Sequence, residues 1–268
     1  MKKLLALVLL LSVIFAEFQL QNLEVGITLN EDGSARVNEK MNLIMFGDYS
    51  MRLYESGLNK NTLSAWQDLS NISEIRTHVS AQRASITDIV IRPQPLERSG
   101  SGLDIWYGQI IIDYNALPYY DKQGFLVENT GMVRMEKFKP RTTRYTFNEN
   151  ALNFQRTDSG NINLDSEYTL SITPPPSAVI EYVNPITQSM QNVTFPTQSR
   201  ALSWKGLSLV QFSIVYEVEQ SLDKEVTEFF SNLQESMRSS LLSKEGLAAI
   251  VLVGIIFFSY IYLRMSRR

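Results

Sequence analysis

The chain has 268 residues, with 25 Lys and Arg against 28 Asp and Glu, a single His and no Cys. Without cysteine there is no disulfide framework, thiol nucleophile, thiolate zinc site or iron–sulfur cluster, so stability rests on core packing. Lys2, Lys3, Arg264, Arg267 and Arg268 sit at the two ends, and between them 20 basic residues face 28 acidic ones, a balance that repels nucleic acid and excludes it as a partner.

Lys2 and Lys3 precede an apolar run from Leu4 to Phe15. As a helix, Leu4 to Ala16 reaches only about 20 Å, too short for a bilayer core, so residues 1–16 read as a secretory signal peptide. Ile14 is large for the position three residues before the cleavage point, which keeps an uncleaved N-terminal anchor as the alternative.

Leu23, Val25, Ile27 and Leu29 alternate with polar residues, Asp32 and Gly33 intervene, and Ala35, Val37, Met41, Leu43 and Met45 resume the period of two. That pattern predicts a hairpin with one buried face, and Gly33 supplies the positive φ of the turn. Glu39 falls on the inward phase and is the one misfit. Over Leu58 to Leu69 the spacing of Leu63, Trp66 and Leu69 predicts a short helix capped by Asn61 or Thr62.

Further strands are predicted over residues 86–91, 103–114, 132–138, 144–147, 168–172, 179–183, 202–204 and 210–218. The stretch 103–114 is apolar on both phases and is expected to be central and covered on both faces. The last strand alternates through Val210, Phe212, Ile214, Tyr216 and Val218. The fold class is therefore mainly β, an antiparallel β-sandwich, either one large sandwich or two tandem modules over residues 17–122 and 123–220.

Residues 221–245 predict an amphipathic helix, with Asp223 and Glu225 in its first turn and Leu222, Val226, Phe229, Phe230, Leu233 and Met237 at three- and four-residue spacing. Its apolar stripe is expected to pack on the preceding domain, to self-associate or to lie on the bilayer. Leu247 to Leu263 then carries seventeen residues without a charge. With Gly246 it reaches about 27 Å as a helix, close to the thickness of a bilayer core, so 246–263 reads as a transmembrane helix. Its anchor residues are Leu247, Ile250, Val253, Ile256 and Phe257, with Tyr260 and Tyr262 suited to the interface. Arg264, Arg267 and Arg268 hold residues 264–268 on the cytoplasmic side, which sends 17–245 across the membrane.

Few motifs carry chemistry. His78 stands alone, so a triad or a multi-imidazole metal site has little to draw on, and a structural role is expected. Asp158-Ser159-Gly160 has the letters of an aspartic protease triplet but follows Gln155, Arg156 and Thr157 instead of an apolar strand, and reads as a turn. Ser221 and Lys224 match Ser-x-x-Lys by chance spacing. Asp158, Asn161, Asn163, Asp165 and Glu167 form an oxygen-rich loop that departs from calcium-loop spacing, so no metal or cofactor is expected. Asn71-Ile72-Ser73 and Asn192-Val193-Thr194 have the form of glycosylation acceptors.

Arg134, Lys137, Lys139, Arg141 and Arg144 crowd together with only Glu136 among them. The ordinary explanation is a guarded hairpin edge; the functional one is a docking patch for anionic lipid headgroups, acidic glycans or an acidic protein partner.

The run Asn30-Glu31-Asp32-Gly33-Ser34-Ala35-Arg36-Val37-Asn38-Glu39, with Phe46-Gly47 after the apolar strand, resembles the opening of prokaryotic membrane proteins grouped as domain of unknown function 2207. The later run through Tyr168 to Ile172, Pro174-Pro175-Pro176, Ala178 to Val183 and Leu202-Ser203-Trp204-Lys205-Gly206 is similar to the sandwich module of archaeal surface proteins. The resemblance implies a β-rich exported part and carries over no catalytic residue. The expectation from sequence is a single-pass type I cell-surface protein without enzymatic activity, anchored in the lipid bilayer, that binds or scaffolds a protein or glycan. The alternatives are a membrane-tethered hydrolase using two carboxylates, or an accessory subunit of a membrane complex.

Overall fold

In the computed structural model the described residues are 17–100, 104–123, 126–139 and 141–220. The predicted signal peptide, the helix 221–245, the transmembrane helix 246–263, the basic tail and the Ser221/Lys224 pair lie outside them. Among the described residues no helix is long and apolar enough to cross a membrane.

The fold is mainly β and sandwich-like. In chain order come β1 (Glu17–Leu29), β2 (Ala35–Phe46), α1 (Gly47–Gly57), α2 (Leu63–Ser70), β3 (Ser85–Pro93), β4 (Glu97–Arg98) and β5 (Ile105–Leu117). Then follow β6 (Val133–Lys139), β7 (Thr142–Phe147), β8 (Ile162–Asn163), β9 (Tyr168–Thr173), β10 (Ala178–Asn184), β11 (Thr197–Gln198), β12 (Leu202–Lys205), β13 (Ser208–Leu209) and β14 (Ser213–Glu219). The first sheet runs β12-β9-β1-β2-β5-β3, with β4 also on β5; the second runs β11-β10-β14-β7-β6. A two-stranded ribbon pairs β8 with β13.

The predicted hairpin is β1–β2, in register from Leu29 opposite Ala35. Gly33 takes φ +81°, and the Asp32 carboxylate accepts from the Ser34 backbone N–H at 3.0 Å and from its hydroxyl at 2.6 Å. This is the local reason that Asp and Gly turn the chain here. Leu23, Val25, Ile27 and Leu29 are buried beside Val37, Met41, Leu43 and Met45, as the alternation requires.

Three features depart from the sequence reading. The sheet is mixed, not purely antiparallel, because β9 reaches β1 by a long connection instead of a hairpin and pairs in parallel from Leu23 opposite Tyr168. The same pairing draws strands into the first sheet from both sides of residue 122. β5 is internal, but only one of its faces is buried along its length: Ile110 and Ile112 are inaccessible, whereas the other phase ranges from the buried Asp113 to Tyr107 at 37% exposed. The last strand starts at Ser213, not Val210. Asn184 donates its side-chain amide to the carbonyls of Val210 (2.9 Å) and Gln211 (2.8 Å), Gln211 turns at φ +50°, and Val210 is left 53% exposed.

The predicted short helix is α2, where the Thr62 hydroxyl accepts from the Ala65 N–H and Trp66 is buried. α1 has no counterpart in the sequence reading. It packs on β2 and β5 through Tyr54, whose hydroxyl lies 2.9 Å from the carbonyls of both Gln94 and Gln109. Burial pushes the Tyr54 phenol up to about 12. The close approach depends on Gly108: a methyl group there would stand 2.8 Å from Met45 Cε and from the Tyr54 ring.

Candidate functional site

Three regions concentrate polar chemistry. The first lies inside the core. Glu39 of β2, the misfit of the alternation, meets the lone histidine: its Oε2 is 2.8 Å from His78 Nδ1, and its Oε1 accepts from the His78 backbone N–H at 2.7 Å. Tyr114 of β5 donates its hydroxyl to the same Oε1 at 2.5 Å. All three side chains are buried. Burial, and then the adjacent Glu39 carboxyl, push the Tyr114 phenol well above its ordinary value, so it remains a donor across the physiological range.

The carboxyl therefore ties three segments together. His78 lies on a stretch that also pairs with residues 151–153, through Asn153 N–H to His78 C=O at 2.8 Å and Ser80 N–H to Ala151 C=O at 2.8 Å. Phe154 covers the imidazole with ring centroids 5.1 Å apart. Carboxylate, imidazole and phenol are acid–base groups by type. Here His78 Nε2 is buried with no hydrogen-bond partner, and Glu39, His78 and Tyr114 line none of the surface grooves described below. The arrangement serves as a clamp within the core.

The second region is the outward face of the first sheet. Asn42 donates its amide to Asn22 at 2.6 Å and accepts from Gln109 at 2.8 Å, bridging β1, β2 and β5. Asn38 donates to Asp113 at 2.9 Å, and Arg92 forms an ion pair with the other oxygen of Asp113. Ser171 and Ser203 join β9 to β12 at 3.0 Å. Two shallow grooves flank this network: one of about 420 Å³ beside Gln21, Gln94 and Tyr107, the other of about 390 Å³ beside Thr28, Arg36 and Thr173. The side chains are largely committed to one another. Asp113 and Glu39, the two buried acidic residues among those described, point to opposite faces of the sheet, because Glu39 lies opposite Ile112, the neighbour of Asp113. A shared pocket for these two carboxyls is thereby ruled out.

The third region holds the basic cluster, and its five residues are not equivalent. Arg144 lies on β7, where its guanidinium donates twice to Glu217 Oε1, at 3.0 and 2.6 Å, and stacks 3.5 Å above the Phe138 ring. Glu217, 73 residues away in sequence, partners the Arg144 guanidinium, a pairing the sequence does not announce. Arg141 is half-buried in the turn. Arg134, Lys137 and Lys139 lie on β6, the terminal strand of the second sheet, and all three are exposed. Beside them a groove of about 420 Å³ is lined by Leu126, Val127, Val133, Arg134, Met135 and Phe147.

The remaining sequence motifs resolve simply. Asp158-Ser159-Gly160 is an exposed turn closed by Gly160 N–H to Thr157 C=O at 2.8 Å, with Gly160 at φ +82°. Among the described residues no group of three or more His, Asp and Glu side chains is placed to hold a metal ion. Asn71 ends α2 in the left-handed conformation, and both it and Asn192 are exposed.

Glu39 and His78 each stood out in the sequence, one as a charge on an apolar phase and one as a singleton. What joins them is tertiary, and Tyr114 carried no signal beyond sharing the inward phase of its strand. No family model and no curated protein matches the chain.

Proposed function

We propose that this chain is a single-pass membrane protein whose β-rich part, residues 17–220, is displayed outside the cytoplasm, where it binds or scaffolds another cell-surface component. The observation that carries the reading is the uncharged stretch Leu247 to Leu263 followed directly by Arg264, Arg267 and Arg268. Such a stretch matches the hydrocarbon thickness, and the arginines hold its far end in the cytoplasm. The amphipathic segment 221–245 links anchor to domain and offers a face for self-association. The resemblance to prokaryotic membrane proteins of the domain of unknown function 2207 type agrees with this placement.

Binding is favoured over catalysis as the role of the domain because its buried acid–base groups are spent on holding the core together, while its open surface is polar and charged. Protease treatment of intact cells tests the orientation. The expected result is loss of residues 17–220 from the cells, with a short membrane-protected fragment retained. An intact domain after treatment, cleaved only once the cells are lysed, contradicts it. Recovery of the full chain in the aqueous fraction contradicts the anchor itself.

A further inference from the structure

We infer that the free edge of β6 is a docking site for an extended acidic polypeptide segment, which adds to the second sheet as a further strand. The inference deepens the binding reading above and does not depend on the membrane anchor.

The edge is open and stays in register from Val133 to Lys137, before a bulge between Lys137 and Lys139. In an antiparallel ladder, hydrogen-bonded and non-hydrogen-bonded pairs alternate. Asn148 N–H donates to Met132 C=O at 2.9 Å, and Arg134 opposite Thr146 and Glu136 opposite Arg144 continue at that phase. The N–H and C=O groups of Val133, Met135 and Lys137 therefore point away from β7, and among the described residues no strand pairs with that side. The other outer strands are less suited: β11 and β12 have two and four residues, and β3 is broken by a bulge with Asp88 at φ +56°.

The bland account is that the lysines only guard an edge against aggregation. Two observations go further. A guard needs no groove, yet one runs beside the strand, where Val133, Arg134 and Met135 share its lining with Leu126 and Val127, 38% and 39% exposed, and with the polar Glu128, Asn129 and Thr130. Phe138, 43% exposed, is held flat at the end of β6 by the Arg144 guanidinium.

The charges then choose the occupant. Pairing two copies of β6 would bring Arg134, Lys137 and Lys139 against their own kind, which is unfavourable across a strand pair. A strand bearing carboxylates meets the same cations as partners. Side chains alternate along β6, so Met135, which lines the groove, and Lys137 beyond it lie on one face of the strand. The segment that fits has an apolar residue beside Met135 and, two positions away on the same face, an acidic residue beside Lys137. Backbone bonds give the affinity and these side chains the choice, as in strand addition generally.

The test uses the full chain in detergent and a short fluorescent peptide of alternating valine and glutamate, followed by fluorescence polarisation. The proposal predicts binding, and weakening of about tenfold or more in the exposed double variant Lys137→Glu, Lys139→Glu. It also predicts loss of binding when alternate peptide amides are N-methylated, a change that leaves the protein untouched. The proposal is overturned if the peptide does not bind, if the charge reversal has no effect, or if the methylated peptide binds equally well. Lysine-dependent binding to phosphatidylglycerol vesicles without peptide binding assigns the patch to lipid and also overturns it. Because the chain is detergent-purified, failure here leaves the topology result standing, and a failed topology leaves this result standing.

Discussion

The two sheets differ in how far their polar side chains are paired with one another. On the first, Asn22, Asn42 and Gln109 bond to one another, Asn38 and Arg92 share Asp113, and even the buried Glu39 has its oxygens occupied by His78 and Tyr114. On the second, Glu217 satisfies Arg144, while Arg134 and Lys137 extend from a strand edge that no other described strand pairs with, and Lys139 lies 4.9 Å from the Phe138 ring. A polar group that is already paired contributes order, whereas a cation on an open edge remains available to a partner. The contrast separates residues that hold the fold from residues that the proposed partner would meet.

The sharpest way to break that separation is Glu39→Ala. It strips the acceptor from the His78 N–H, the imidazole and the Tyr114 hydroxyl at once, inside the core. The expected cost is about 3–5 kcal/mol, read from urea unfolding followed by tryptophan fluorescence. A loss within the range of an ordinary surface substitution would show that the clamp does not hold the core.

Tyr54 sharpens the same point through pH. Burial raises its folded pKa to about 12 from the ordinary 10.0, so the folded state keeps a proton that the unfolded chain gives up first. The stability it contributes is fully present below pH about 10 and is lost as pH rises toward about 12. Tyr54→Phe is expected to flatten the fall in urea midpoint over that window, and an unchanged slope contradicts the assignment. Next in size is Gly108→Ala, where the added methyl meets Met45 and Tyr54 and is expected to cost about 1–3 kcal/mol in the same unfolding measurement. The smallest pair isolates the basic cluster. Arg144→Ala is expected to cost about 1–2 kcal/mol because Glu217 loses its partner, whereas Lys137→Ala is expected to change stability by no more than about 0.5 kcal/mol. Equal effects at the two positions would erase the distinction between structural and available cations.

Much of this architecture is legible locally. The β1–β2 hairpin follows from period-two alternation around Asp32 and Gly33, and Thr62 announces α2 as a cap. What is not legible is carried by distance or by atypical residues. α1 buries Ser50, Tyr54 and Gly57, a face of small and polar residues that does not register as an apolar stripe. The parallel pairing of β1 with β9 joins segments with nothing local to announce it, and the end of the Val210 alternation depends on the Asn184 amide arriving from β10. The basic cluster is visible as a run of residues, but its division into neutralised and available cations depends on Glu217. The Glu39–His78 clamp shows both kinds of limit: two misfits were visible and their meeting was not.

Amide hydrogen exchange of the full chain, with and without the valine–glutamate peptide, tests the central claim most directly. The account predicts that Val133, Met135 and Lys137 exchange rapidly alone and become protected on binding, while the amides of the β1–β2 hairpin are unchanged. Protection that appears on the outer face of the first sheet, with β6 unaffected, would contradict it.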